Sequence, residues 1–374
     1  MPLDADRMID VTPCASRPAR LAELDALRGL AALAVLLFHF TTRYQQIHGH
    51  ARPLVWGVPW GHYGVQLFFV ISGFVIFVTL DRTRSLSDFV IARVSRLYPA
   101  YWTAILLTTA VLWLSGRSDL LRSPWIVLAN LTMLQSFLRL PAVDDVYWTL
   151  AIELTFYAVL AALWRVGGFR RLNGLLTAWL LLPWVWTYAP LLVGWEPSWL
   201  LGLLLVQAHI PYFAIGIATY RLRTGTGARG ATGVILFALA TVAACQGGAA
   251  LAAALIVTAA ILLIALRGSS PLRWPPLVWL GGISYSLYLL HQMIGYVLIE
   301  GLEARGLSPT VAVLIATTAM MLLAALVTDR IERPALRGIR RFYGRWRDRS
   351  AGSLTGGGSP RPPSPPAPPS YPES

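Results

Sequence analysis

An arginine and a histidine interrupt an apolar run near the start of the chain. The run ALRGLAALAVLLFHF covers residues 26–40 and holds Arg28 near one end and His39 near the other. Eleven positions separate the two residues, which is about 16 Å along a helix. A neutral imidazole can take a proton from a hydroxyl group. His39 is therefore a candidate general base, some distance from a cationic group.

Other apolar runs also contain or adjoin ionisable side chains. These are Asp25, Glu153, His209, His291 and Glu332. A charged side chain at the centre of a membrane helix costs about 2.5–3.5 kcal/mol on insertion scales, so each is a candidate functional residue. A lone histidine in such a helix is also often a packing residue, which is our interpretation of His209. An unpaired carboxylate is harder to explain by packing, and we treat Glu153 as functional.

Apolar blocks repeat along the chain and predict the fold class. About 20 helical residues cross the hydrocarbon core, and a helix satisfies its own backbone hydrogen bonds there. The blocks cover approximately 24–41, 62–80, 98–115, 146–165, 174–194, 199–221, 230–246, 248–266, 276–299 and 309–330. We predict an all-α polytopic membrane bundle of about ten transmembrane helices. The shorter stretch 123–138 is expected to be interfacial or re-entrant.

The composition argues against most other classes of protein. Of the 374 residues, 56% are hydrophobic and only 13% charged, whereas soluble domains are about 25% charged. The net charge is +13, but the arginines that carry it lie between apolar blocks, which membrane topology explains better than nucleic-acid binding. Cys14 and Cys245 suggest neither a disulfide framework nor a metal cluster. We expect no metal and no nucleic-acid partner.

The distribution of arginines predicts the orientation. With the N-terminus in the cytoplasm, 23 arginines fall in inner segments and 6 in outer loops, as the positive-inside rule requires. We therefore expect a multi-pass protein with both termini cytoplasmic, in the bacterial cytoplasmic membrane. The predicted organisation is an N-terminal segment (1–22) without a cleavable signal, a transmembrane domain (23–335), and a basic, then Pro/Gly/Ser-rich disordered tail (336–374).

The direction in which each predicted helix crosses the membrane places the candidate residues at two depths. Arg28, Arg93 and Arg96 are predicted at the inner face, where arginines suit the phosphates of a ligand. His39, Glu153 and His291 are predicted in the outer half, although His291 could equally pack without lining the site. We expect Glu153 to orient His39 or to bind hydroxyls of an acceptor. We expect Glu332 to pair with an inner-face arginine.

Six segments, in order, resemble motifs of the membrane-bound acyltransferase 3 family. LDALRGLAALAVLLFHF resembles its first-helix motif, with Arg28 and His39 at the matching spacing, and GVQLFFVISGF resembles its second-helix signature. ARVSRLYPAYW resembles its Arg-x-x-Arg and Tyr-Pro motif through Arg93, Arg96 and Tyr98. YWTLAIELTFY resembles the segment around its glutamate, and ISYSLYLLH and ERP resemble later signatures. Gln66, Thr149 and Ala151 depart from the pattern and leave the acceptor open.

The resemblance implies transfer of an acyl group from a coenzyme A thioester to a hydroxyl of a glycan, glycolipid or macrolide. It implies that Arg28, Arg93, Arg96 and Tyr98 hold the co-substrate, acetyl-coenzyme A by default, with no permanently bound cofactor. His39 and Glu153 would be catalytic, and Ser72, Trp148, Thr149 and His291 would contact the acceptor. Direct transfer and an acyl-histidine intermediate both remain open, as does homo-oligomerisation.

Two alternatives remain at this stage. A transporter or flippase would also have many helices and buried charges, but the sequence has no internal repeat and no matched pair of broken helices. Ser72 and Gly73 could line the site or simply allow close helix packing.

Overall fold

The computed structural model describes residues 22–80, 83, 85–167, 171–267 and 270–355. Within these ranges the chain forms helices and no strand. The α-helices are α1 (Ala22–Phe38), α2 (Tyr44–Ile47), α3 (Gly64–Leu80), α4 (Leu86–Leu114), α5 (Pro124–Leu131), α6 (Trp148–Arg165), α7 (Leu172–Trp179), α8 (Leu182–Val193), α9 (Trp199–Leu204), α10 (Ile210–Thr224), α11 (Ala228–Gln246), α12 (Gly248–Arg267), α13 (Pro275–Ala304), α14 (Pro309–Val327) and α15 (Arg333–Thr355).

The predicted all-α membrane bundle is confirmed. Nine helical segments of the described ranges are long and apolar enough to cross a membrane. The predicted block 199–221 is not among them because it is divided between α9 and α10, and Val206 between these helices has a positive φ of 53°. The stretch 123–138 forms the eight-residue α5 and a short 3₁₀ segment, so it is too short to cross, as expected.

Helix α13 is the central element of the bundle. It packs on α1, α4 and α14, and most of its residues between Leu280 and Ile299 are buried. The contact with α1 is very close, since a Cβ atom added to Gly281 would lie 1.9 Å from the backbone oxygen of Asp25. Because the π-helical turn that continues α1 carries His39 and α13 carries His291, this contact sets the separation of the two histidines.

Helices α3 and α10 form a second close contact. A Cβ atom added to Gly73 would lie 2.3 Å from the backbone oxygen of Phe213. Small residues allow membrane helices to approach in this way. The packing interpretation of Gly73 is therefore confirmed, whereas its neighbour Ser72 faces a cavity and belongs to the site described below.

The last spanning helix continues beyond the membrane segment. A π-helical turn (Thr328–Glu332) joins α14 directly to α15, so the basic residues after 335 are helical as far as Thr355. Residues 1–21 and 356–374 lie outside the described residues, as do Arg82, Arg84 and Arg170. The expected character of the N-terminal segment and the Pro-rich tail therefore stays a prediction, as does the orientation of the termini.

Candidate active site

Helix α1 changes its winding at the predicted base. It becomes π-helical over His39–Arg43, and such π turns occur frequently at functional sites. His39 is half-buried, and its Nδ1 lies 2.8 Å from the Val35 backbone oxygen. A carbonyl oxygen can only accept, so Nδ1 carries the proton in the neutral ring. The lone pair of a neutral His39 is then on Nε2, which has no hydrogen-bond partner within the described chain.

His291 is the polar partner of His39. Its Nδ1–H donates to the Tyr288 backbone oxygen at 2.9 Å, which leaves its Nε2 as an acceptor 3.2 Å from Nδ1 of His39. The ring centroids are 4.9 Å apart in an edge-to-face arrangement, and His291 is only 1% exposed. His291 therefore lies beside His39 and fixes the tautomer of its neighbour. It is in neither of the cavity linings described below, and its contact with an acceptor stays a prediction.

The direct pair of His39 with Glu153 was predicted wrongly. Across the described residues, the Glu153 carboxylate accepts from the Ser72 hydroxyl at 3.0 Å and from the hydroxyl of Tyr157, one turn along α6, and not from His39. Depth along a helix does not specify which neighbour a side chain faces. Glu153 points into a cavity that also contains Arg28, and its other expected role, binding of acceptor hydroxyls, stays a prediction.

A cavity of about 940 Å³ occupies one end of the bundle. Its lining contains seven arginines and three carboxylates. The arginines are Arg28, Arg93, Arg96, Arg223, Arg333, Arg337 and Arg340, and the carboxylates are Asp25, Glu153 and Glu332. The volume is at the upper end of the range of about 300–1,000 Å³ for small-molecule sites. We refer to this end as the basic end; its excess of four positive charges suits a polyanion.

The arginines are held by different neighbours. Arg93 donates to the Thr79 hydroxyl at 3.1 Å and lies over the Tyr157 ring at 5.4 Å. Arg96 lies 4.0 Å from the Glu332 carboxylate, which confirms the predicted pairing of that glutamate. The Nε atoms of Arg28 and Arg93 are buried and have no partner in the described chain. Buried donors are normally satisfied, so these two atoms are suited to an anionic ligand.

A narrow second cavity of about 50 Å³ continues from the large one. The two share Arg28, Ser72, Glu153 and Tyr285, and the narrow one extends to Thr149 and Tyr288. The hydroxyls of Thr149 and Tyr288 are 3.0 Å apart, and each lies 3.1 Å from the Val146 backbone oxygen. His39 and His291 are in neither lining, but His291 binds the Tyr288 backbone and its ring centroid lies 5.8 Å from that of Tyr288, so the histidine pair lies behind a residue of the narrow cavity.

Two predicted site residues face elsewhere. The Tyr98 hydroxyl donates to the Thr132 backbone oxygen at 3.0 Å, and its side chain is not part of either cavity lining. Trp148 packs against Phe69 and His209 and is likewise absent from both linings. Each lies beside a cavity-lining residue in sequence, but a helix turns about 100° per residue, so adjacent side chains face different directions. His209 packs on Phe69 and Trp148, but its buried Nδ1 has no hydrogen-bond partner in the described chain, so its packing role stays an interpretation.

Several lining residues were missed. Tyr157 follows Glu153 by four positions, and Tyr285 and Tyr288 precede the predicted His291 by six and three positions on α13. Residues three or four apart lie on one helix face, so these spacings could have indicated them. The same rule applies to Arg333, Arg337 and Arg340, which all face the large cavity.

Two side chains before α6 hold the segment that carries His291. The Asp144 carboxylate accepts from the backbone N–H of Met293 at 3.0 Å, and the Tyr147 hydroxyl donates to the Leu289 backbone oxygen at 3.4 Å. These two backbone groups flank His291. Asp144 is fully buried, and the loss of hydration raises its pKa to about 7.

Comparison with known proteins agrees with this architecture. The acyltransferase domain of the acyltransferase 3 family matches residues 21–329. The exopolysaccharide production protein ExoZ of Rhizobium meliloti (strain 1021) is 28% identical over 298 residues, covering 74% of this chain and 90% of that protein. The acyltransferase MdmB of Streptomyces mycarofaciens is 29% identical over 314 residues, covering 74% and 80%. No solved structure matches the chain. The chain belongs to the acyltransferase 3 family and is a membrane O-acyltransferase.

Proposed function

We propose that this enzyme transfers an acyl group, acetyl by default, from acyl-coenzyme A to a hydroxyl of a carbohydrate-type acceptor. The donor enters at the basic end, which we place in the cytoplasm. The acceptor reaches the histidine pair from the opposite side of the membrane. The observation that carries this proposal is the arginine-lined cavity whose narrow continuation extends to Tyr288, the residue that binds His291.

The cavity lining supports coenzyme A as the donor. Coenzyme A carries a pyrophosphate and a phosphate monoester, together about four negative charges at neutral pH. The lining has an excess of four positive charges, and Arg28 and Arg93 hold unpartnered buried donors. Arginine binds phosphate oxygens with paired N–H groups, so it suits such a ligand. The thin pantetheine arm would occupy the narrow passage past Ser72, Glu153 and Tyr288.

The histidine pair supports the chemical step. Nε2 of His39 takes the proton of the acceptor hydroxyl while the oxygen attacks the thioester carbonyl carbon. The carbon–sulfur bond then breaks, and the imidazolium returns the proton to the departing thiolate. His291 accepts from Nδ1–H of His39 and so keeps the lone pair on Nε2. Glu153 offsets the charge of Arg28 beside the passage.

The acceptor class is supported by one relative. ExoZ is named for exopolysaccharide production. We therefore expect a sugar hydroxyl of an envelope or secreted glycan or glycolipid, and a macrolide is the second candidate from the family resemblance.

A labelling experiment tests the proposal. Membranes that contain the enzyme are incubated with radiolabelled acetyl-coenzyme A and an envelope carbohydrate extract, beside membranes that contain His39→Ala. We expect label in carbohydrate with the unaltered enzyme only. Equal labelling by a correctly inserted His39→Ala enzyme would eliminate the base assignment. Proton-coupled uptake of a glycan without labelling would favour the transporter instead.

A further inference from the structure

The arginines of the large cavity differ in how their charge is balanced within the protein. Arg96 lies 4.0 Å from the Glu332 carboxylate, and Arg333 forms an ion pair with Asp329, one turn before it on the same helical segment. The positive charges of these two arginines are therefore partly compensated before any ligand binds.

Arg337 and Arg340 on α15 also line the large cavity, but neither has a carboxylate partner within the described chain. Arg337 donates through Nε to the Arg333 backbone oxygen at 3.2 Å, which does not balance its charge. The charges of Arg93 and Arg96 repel that of Arg340. An anion beside these groups would relieve the repulsion, so Arg337 and Arg340 are suited to a phosphate group.

The two residues lie in the part of the large cavity that is outside the narrow passage. Arg28 lines both cavities, whereas Arg337 and Arg340 line only the large one. They are three positions apart, which is about 4.5 Å along one helix face. Arg347, farther along α15, lies 3.3 Å from the carboxylate of Asp88 on α4 and holds the helix in place. A ligand whose acyl end enters the passage would therefore meet Arg337 and Arg340 with its opposite end.

The order of groups along coenzyme A fits this arrangement. The thioester is followed by the pantetheine arm, then by the pyrophosphate, and then by a ribose that carries a phosphate monoester. The monoester is the phosphate farthest along the molecule from the acyl group, and it carries about −1.5 to −2 charges at neutral pH. Two arginines match that charge, and each binds phosphate oxygens with paired N–H groups.

We propose that Arg337 and Arg340 bind the ribose phosphate monoester of coenzyme A and so select donors that contain it. Thioesters without the monoester, such as those of dephospho-coenzyme A or of a phosphopantetheine arm on a carrier protein, bind more weakly. The two residues belong to none of the six motifs described above, since they follow ERP by three and six positions. This inference rests on the proposed function, because it takes acyl-coenzyme A as the donor.

Isothermal titration calorimetry of the full chain in lipid nanodiscs tests the selection. The ligands are coenzyme A and dephospho-coenzyme A, which differ only in the monoester. We compare the unaltered protein with Arg337→Gln/Arg340→Gln and with Arg337→Lys/Arg340→Lys. The matched control is Arg341→Gln/Arg345→Gln, which removes two charges from the same helix at residues absent from the linings of both cavities. Thermal unfolding without ligand reports whether each variant is folded.

We expect the unaltered protein and the control to bind coenzyme A at least about 10-fold more tightly than its dephospho form. Arg337→Gln/Arg340→Gln should bind the two ligands with nearly equal Kd, because only the affinity for coenzyme A decreases. The lysine variant should keep part of the preference, since lysine retains the charge without the paired N–H groups.

Three results would overturn the inference and leave coenzyme A as the donor. They are equal Kd values in the unaltered protein, a preference that survives Arg337→Gln/Arg340→Gln, and an equal loss of preference in the control, which would assign it to net charge. Failure of both ligands to bind the unaltered protein would instead refute coenzyme A as the donor, and the inference with it.

Discussion

The hydrogen bond between His39 and His291 gives the two rings different roles. Val35 and Tyr288 each accept from an Nδ1–H group, so the backbone determines which nitrogen of each neutral ring is free. The free nitrogen of His291 faces His39, and the free nitrogen of His39 is left for a substrate. In the proposed mechanism, His39 is the base and His291 is a positioning residue.

Substitution of the two histidines separates these roles. His39→Ala should reduce kcat by about 10²–10⁴-fold, the usual contribution of a general base. His291→Ala should reduce kcat less, with little change in KM for the donor, because the arginines remain. His209→Phe is the control, since His209 packs on Phe69 and Trp148 and is in neither cavity lining. The initial rate of acyl transfer is measured for all three variants. A fully active His39→Ala enzyme would contradict the assignment of His39 as the base.

Arg28 and Glu153 are predicted to be energetically coupled. Both line the narrow passage, where a single charge lacks water to stabilise it. Glu153→Gln and Arg28→Gln should each destabilise the protein, and the double variant should be more stable than the sum of both effects implies, by about 0.5–3 kcal/mol. Thermal unfolding of the unaltered protein, both single variants and the double variant in detergent measures this coupling. Strictly additive effects would mean that the two groups do not interact.

The sequence predicted which residue types line the cavities, and at what depth in the membrane, better than it predicted which side chains contact one another. Arg28, Arg93 and Arg96 line the cavity because arginines at one depth on neighbouring helices converge. Ser72 and Thr149 also line the passage. The rotation of α6 about its axis is set by packing, so the sequence did not reveal that Glu153 faces Arg28 and not His39.

At the scale of elements, the packing of α1 on α13 determines the geometry of the histidine pair. Gly281→Ala would place a methyl group against the backbone of Asp25 and should destabilise the protein by about 1–3 kcal/mol. Gly233→Ala in α11 is the control, because nothing lies within 4 Å of its added Cβ. The melting temperature and the rate of acyl transfer should both decrease for Gly281→Ala and stay unchanged for Gly233→Ala. Equal behaviour of the two variants would contradict this packing role.

Asp144 links the segment before α6 to α13 in a pH-dependent way. Its pKa is about 7 in the folded protein against 3.8 ordinarily, because burial disfavours the charged carboxylate. Its proton therefore stabilises the fold fully below pH 3.8, and this contribution decreases by about 1.4 kcal/mol per pH unit up to about pH 7. Above pH 7 the contribution no longer changes.

Denaturant unfolding between pH 5 and 8 tests this dependence. The stability of the unaltered protein relative to Asp144→Asn should decrease from pH 5 to about 7 and then level off. A constant difference between the two proteins across that range would show that Asp144 does not titrate as described.

At the scale of the whole molecule, the length of the apolar runs predicted a helical bundle. Backbone groups in lipid have no water to bind, so each run must satisfy its own hydrogen bonds as a helix. The division of the sixth block was not predicted. Gln207, His209 and Pro211 interrupt that block and were a usable signal. The π turn at His39 has no comparable sequence mark, since it depends on how α1 packs.

The orientation predicts which loops reagents can reach. In a variant with Cys14 and Cys245 replaced by serine, Ala304→Cys at the end opposite the basic end should react with an impermeant maleimide on intact cells. Thr226→Cys, beside Arg223 at the basic end, should react only after lysis. The reverse pattern would place the arginine-lined cavity outside the cell and contradict a cytoplasmic donor.

The most direct test of the central claim is a cryo-electron microscopy structure with a non-hydrolysable acyl-coenzyme A analogue. We predict phosphate density against Arg93 and Arg96, and a pantetheine arm that passes Glu153. The carbonyl of the analogue should lie where a hydroxyl bound within about 3 Å of His39 Nε2 could attack it. An analogue bound outside the arginine-lined cavity, or one whose acyl end points away from His39, would contradict the account.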